Sequence, residues 1–207
     1  MQINTINMNF LENVKKVSKK KLILAILLIA FGVGGRIFRI HFMPDLYNVE
    51  PITLVALLAG SYLGLSYALI VPLSVVAISD VYIGNTSVLF FTWSAWAIIG
   101  LFSLILRGSK KDSLIFGFKM TGMGILSSMI FFIWTNFGVW MEWNMYAHTL
   151  SGLIKCYIMG IPFFKMNLLG NLVIISVVSF SLVLCLKLSK ILLANKKNRK
   201  LIEKTGN

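Results

Sequence analysis

Charge is what this sequence has least of. Only 13% of its 207 residues are charged, and just 7 are acidic. Soluble domains carry about 25% charged residues and about 45–50% apolar ones. With 57% hydrophobic residues and a mean hydropathy of +0.83, the chain does not read as a water-soluble globule. Cysteine is scarce too: Cys156 and Cys185 lie in different segments, so no disulfide framework is implied. The motifs of catalysis are missing, with no HExxH, GxSxG or CxxC and no His/Cys cluster of metal spacing. His41 and His148 stand singly in separate segments. The expectation is therefore a protein that is not an enzyme and uses no cofactor. A GxxxxGK[ST] phosphate loop is absent as well, and so is any acidic relay inside the apolar runs. If the chain takes part in active transport, the energy is expected to come from a partner.

What is present is a series of long apolar runs separated by basic clusters. A net charge of +13 on a soluble protein would suggest nucleic acid. Here the charge falls in short clusters between apolar runs, as topology signals do. The expected partner is therefore a lipid bilayer, with no nucleic acid. The first run extends from Leu22 to Ile37 behind Lys15, Lys16, Lys19, Lys20 and Lys21. It is followed by Gly34-Gly35-Arg36 rather than a small-x-small cleavage site, so it reads as a retained helix, not a signal peptide. Further runs cover Ile52–Ser79, Val88–Leu106, Leu114 to about Trp134, and Leu168–Leu188.

Parity decides the number of crossings. The positive-inside rule puts the N-terminal cluster, residues 107–111 and the C-terminal cluster in the cytoplasm. An even number of crossings must then separate the first two clusters, which requires Ile52–Ser79 to split at Gly60–Gly64. Each half would be about 14 residues, or ~20 Å of helix against a ~30 Å hydrocarbon core. Such short helices are tolerable only inside a bundle; a re-entrant hairpin satisfies parity equally well. The fold class expected is all-α, a six-helix membrane bundle with a short central hairpin and both termini cytoplasmic. It divides into a basic N-terminal segment (1–21), a transmembrane domain (22–190) and a basic tail (191–207). The outer segments are 36–51, 80–87 and 135–167. The first 17 residues space Ile3, Ile6, Phe10, Val14 and Val17 as an amphipathic surface helix would, or form a frayed tail.

Polar residues collect in the outer segments. These hold Arg36, Arg39, His41, Asp45, Asn48 and Glu50, then Asp80, Tyr82 and Asn85. The third carries Asn136, Trp140, Glu142, Trp143, Asn144, Tyr146, His148, Tyr157 and Lys165. Arg36 and Arg39 either snorkel to the interface or pair with Asp80 or Glu50 across the bundle mouth. Asp80 is either a water-facing helix end or a counter-charge for a ligand. The Trp and Tyr rings fit an aromatic belt, and equally a site that sandwiches a small solute between flat faces. On the second reading the candidate solute contacts are Glu50, Asp80, Asn136, Trp140, Trp143, Tyr146 and Tyr157. Apolar stretches 150–154, 157–159 and 161–164 are then expected to fold back as a lid over an outward-facing cavity.

Several segments resemble a known family. They are Asn48-Val49-Glu50-Pro51, Ser79-Asp80 with Gly84, and Phe131-Phe132 with Thr135-Asn136-Phe137-Gly138-Val139-Trp140. Tyr146, Thr149-Leu150, Gly152-Leu153, Cys156-Tyr157 and Gly160-Ile161-Pro162-Phe163-Phe164 extend the match, which covers residues 20–190. Together they resemble the substrate-binding (S) components of energy-coupling-factor (ECF) transporters. More narrowly, they resemble uncharacterised S-component-like membrane proteins of bacteria and archaea. The resemblance implies a multi-pass protein of the prokaryotic cell membrane that binds a small, vitamin-like solute. Its implied partners are a transmembrane coupling protein and two ATPase subunits. The small-xxx-small pair that S components show on their first helix would be Ala30 and Gly34, implying a docking role. Competing readings are a membrane scaffold or assembly protein, and a membrane-embedded enzyme using Asp80, Glu142 or His148.

Overall fold

The computed structural model describes residues 18–84 and 86–205. The amphipathic spacing of the first 17 residues and the position of Asn85 lie outside the described residues. Six helices follow in order, with no strand among the described residues. They are α1 (Lys19–Phe42), α2 (Ile52–Leu58, continued as a π-helical turn over Ala59–Leu63) and α3 (Leu65–Ile83). Then come α4 (Leu89–Phe102, tightened into a 3-10 turn over Ser103–Leu106), α5 (Leu114–Glu142) and α6 (Leu150–Thr205). Five are long and apolar enough to cross a membrane; Ile52–Leu63 is apolar but shorter.

A helix that is apolar all round must be buried, and α2 is. Ile52, Val55, Ala56, Leu57 and Ala59 are wholly inaccessible, and the other helices close around them. Valines and Trp96 fill one side of this core; Leu106, Phe116, Met120 and Ile175 fill the other. The outward faces of α1, α4, α5 and α6 expose residues such as Ile26, Phe38, Phe90, Phe118 and Val177. Such a surface suits hydrocarbon rather than water.

The expected split of the second apolar run occurs, at the last residue of the Gly60–Gly64 window. The π turn carries α2 on to Leu63, and the chain reverses at Gly64, whose φ of 103° is strained for any residue with a Cβ. The halves are therefore 12 and 19 residues rather than two of about 14. Pro72 does not interrupt the second half. It removes the hydrogen bond that Ala68 would otherwise accept. Gly100 of α4 packs against that freed carbonyl, and only a residue without a Cβ fits so close. α2 runs from Glu50, beside Arg36, to Leu63, whose carbonyl accepts from Lys21 at the far end of α1. The helices thus traverse the bundle six times between two chemically different ends.

One end is basic. It gathers Lys21, Arg107, Lys111 and Lys190, with one ion pair among the described residues, at 2.7 Å between Lys190 and Asp112. Lys111 Nζ donates to Leu106 O and lies 4.4 Å from the Phe116 ring centre and 5.2 Å from that of Tyr62. Burial lowers its pKa from 10.5 to about 8. At the other end the expected lid does not form a returning loop. Residues 135–142 complete α5, residues 143–149 make the turn, and 150–167 are the first turns of α6. The apolar stretches that suggested a lid are helix faces: Phe132 packs on Tyr157 and Phe164, and Cys156 Sγ approaches Asn136 O at 3.4 Å. At 1.5 Å per residue the 29 residues of α5 reach about 43 Å, more than the ~30 Å core. The α5–α6 tip is a helical hairpin rather than a returning loop.

Candidate functional site

Arg36 and Arg39 lie one turn apart near the end of α1. An arginine at bilayer depth costs roughly 2.5–3.5 kcal/mol on insertion scales, so its partners matter. Arg36 Nη1 lies 2.9 Å from Asp80 Oδ1 and also donates to Ser79 Oγ. Trp93 Nε1, from α4, donates to the other Asp80 oxygen at 2.9 Å. Arg36 Nε is 3.1 Å from Glu50 Oε2, an ion-pair contact without an aligned hydrogen bond, and Arg39 Nη2 donates to Glu50 Oε1 at 3.1 Å. Of the two sequence readings, pairing across the mouth is the one realised. Two cations and two anions cancel within one cluster that ties together α1, the α1–α2 segment, α3 and α4.

Beside the cluster, Asn48 takes a left-handed φ of 61°, which asparagine tolerates better than most residues. Its carbonyl accepts from Asn167 Nδ2 at 2.9 Å. Asn167 Oδ1 accepts in turn from Asn171, which also donates to Ser128 Oγ at 2.8 Å. This ladder of amides holds the α1–α2 segment against α5 and α6.

Between these groups and the hairpin lies a half-open chamber of about 420 Å³. Asn48, Thr86, Thr92, Thr135 and Asn136 give it polar edges; Phe131, Val139, Trp143, Met145, Tyr146, Met159 and Phe163 give it apolar walls. Among the described residues, no acidic or basic side chain lines it. A second chamber of about 220 Å³ shares Asn48, Thr92 and Phe131 with the first and adds Arg36, Glu50, Trp96 and Asn167. The size and the few polar groups on apolar walls match small-molecule sites, which run from about 300 to 1,000 Å³.

The structure sorts the candidate contacts. Asn136, Trp143 and Tyr146 line the larger chamber and Glu50 the smaller. Asp80 lies behind Arg36 and lines neither chamber. Trp140 points away, donating to Ala147 O at 3.0 Å and packing edge-on against His148. Tyr157 also points away, donating to Ile133 O at 2.8 Å. Trp143 Nε1 donates to Ser87 Oγ at 2.9 Å, which ties the hairpin tip to the α3–α4 turn. Thr92, Phe131, Phe163 and Asn167 also line the chambers. They sat inside or at the edge of apolar runs, where only an isolated amide or hydroxyl among apolar neighbours could have marked them. Ala30 and Gly34 lie on the exposed face of α1, with open space where a Gly34 Cβ would stand. Among the described residues, no group of three or more His, Cys, Asp or Glu could hold a metal.

Fold and site together define an all-helical integral membrane protein with a polar-edged chamber at the end opposite its basic cluster. Residues 16–194 match the profile of a family of unknown function, DUF6580, and the chain belongs to that family. No curated protein and no solved structure matches it.

Proposed function

We propose that this protein captures a small solute at the outer face of a prokaryotic cell membrane, as the substrate-binding subunit of an ECF-type importer. The observation that carries the reading is the 420 Å³ chamber at the end opposite Lys21, Arg107, Lys111 and Lys190. By the positive-inside rule the basic end faces the cytoplasm, so the chamber opens outward and both ends of the chain lie inside. Uncharged walls with amide and hydroxyl edges suit a ring-bearing solute: flat faces stack on Trp143, Tyr146 and Phe163, and Asn136 and Asn48 fix its orientation. The chain has no nucleotide-binding loop, so inward delivery falls to a coupling protein and two ATPase subunits. The exposed Ala30–Gly34 notch on α1 is where a partner helix would approach most closely.

Affinity purification from native membranes tests the reading. The expected result is co-purification of a transmembrane coupling protein and two ATPases, with a retained small molecule visible by native mass spectrometry. Purification without these partners and without a retained mass would overturn it.

A further inference from the structure

The basic end holds a feature that solute capture does not use. A chamber of about 380 Å³ is lined by Ser18, Lys21, Leu63, Gly64, Ser66 and Arg107. Lys21 reaches the Leu63 carbonyl at 3.4 Å and Arg107 lies against Gly64, yet neither forms an ion pair among the described residues. Two cations therefore converge on one recess, with no anion paired to either among the described residues.

Further along α1 lies an apolar groove. α1 and α6 do not pack against each other. The gap of about 200 Å³ between them is lined by Leu24 and Leu28 of α1, Leu58 and Tyr62 of α2, and Leu182 and Leu186 of α6. No polar surface lines it. The two features are lined by neighbouring residues of the same two helices. Leu24 and Leu28 stand one and two turns along α1 from Lys21, on the same stripe. Tyr62 of the groove precedes Leu63 of the recess. A paired-cation recess beside a slot of hydrocarbon character has the polarity of a phospholipid, with its phosphate at one end and an acyl chain at the other.

We propose that this edge of the bundle binds one anionic phospholipid. Lys21 and Arg107, with the Ser18 and Ser66 hydroxyls, hold the headgroup. One acyl chain lies between α1 and α6 against Leu58 and Tyr62. The lipid fills the lateral gap through which Leu58 and Tyr62, the half-buried residues of α2, would otherwise face the bilayer. The inference is independent of the solute chamber, which is at the opposite end.

The test uses the full chain in a neutral detergent with three probes: phosphatidylglycerol, phosphatidylcholine with the same acyl chains, and inorganic phosphate. Native mass spectrometry should show one phosphatidylglycerol retained, and that lipid should raise the thermal midpoint most. Lys21→Gln with Arg107→Gln should weaken its retention roughly fivefold per cation, about thirtyfold for the pair. Leu182→Trp, which fills the slot from α6, should displace the lipid while leaving both cations in place. Circular dichroism and elution volume check that each variant is folded; should the double variant fail to fold, Leu182→Trp and the comparison of probes decide. Equal retention of phosphatidylcholine would overturn the proposal, because the headgroup charge would then not be read. So would full stabilisation by inorganic phosphate, because no tail would then be engaged. Cross-linking of two chains through residue 182, undiminished by phosphatidylglycerol, would make the slot a protein interface and overturn it too.

Discussion

Asp80 sits where three helices meet, and every polar contact it makes is inside the protein: Arg36 on one oxygen and Trp93 on the other. Its carboxylate balances a buried guanidinium and is not presented to the chamber. Removing one partner of a buried ion pair leaves the other charge uncompensated, which costs about 3–5 kcal/mol. Asp80→Asn should therefore lower stability by about 3 kcal/mol, near the bottom of that range because Glu50 still attends Arg36. Chemical denaturation in detergent measures this, and a melting profile like the parent's would show that the cluster carries no such energy. The rings divide in the same way. Tyr146→Ala should weaken retention of the co-purified solute by roughly 1–3 kcal/mol, because the ring lines the chamber. Trp140→Ala should leave retention unchanged and loosen the hairpin tip, since its indole bonds Ala147 O. Titration of solute against both variants separates the two roles. Lys111, at the basic end, gives a pH signature. Its folded pKa of about 8 lies below its ordinary 10.5, so between those values the unfolded chain holds more protons. Stability should rise with pH across that window, and the burial penalty is fully present below pH 8. Thermal midpoints from pH 7 to 10.5 should climb for the parent, and the slope should flatten in Lys111→Gln.

At the scale of the element, legibility followed the strength of the physical constraint. Five apolar runs were readable because hydrocarbon demands about 20 apolar residues whatever the fold. The reversal inside Ile52–Ser79 was readable from charge parity and its glycines. It falls at Gly64, the last residue of that expected window; the unequal halves were not readable, because a π turn adds a residue to a helix without leaving a mark on composition. Residues 135–167 misled for a related reason. Clustered Trp, Tyr and Asn resemble a surface loop, and here they decorate the facing ends of two long helices. The site was half legible. Glu50, Asn136, Trp143 and Tyr146 stood out as costly polar or amphipathic groups. The directions of Trp140, Tyr157 and Asp80 depended on helix rotation, which one sequence does not encode visibly. Gly64 offers a check at this scale. With φ at 103°, an added Cβ costs roughly 1–2 kcal/mol and also meets the Arg107 guanidinium. Gly64→Ala should destabilise by about that amount in equilibrium unfolding, whereas Gly34→Ala, which faces open space, should not.

For the whole molecule the deciding question is which end faces the cytoplasm, because the solute and lipid readings both take their biological sense from it. The two ends differ in chemistry as well as in charge. Lys21, Arg107 and Lys111 sit at one, with Asp112 engaged by Lys190; a balanced cluster and an uncharged chamber sit at the other. Translocating basic clusters across a membrane is disfavoured, so the basic end should remain inside. Single cysteines placed in a variant lacking Cys156 and Cys185 report this directly. Asn144→Cys, in the turn between α5 and α6, should react with a membrane-impermeant maleimide on intact cells. Ser109→Cys, in the turn between α4 and α5, should react only after the cells are opened. The two turns lie at opposite ends of α5, so a bundle that inserts in one orientation must give opposite answers at them. Labelling at Ser109→Cys alone on intact cells would invert the molecule, put the chamber in the cytoplasm and remove the basis for an importer. Labelling at both would mean that α5 does not cross the membrane, against the length and hydropathy of its 29 residues.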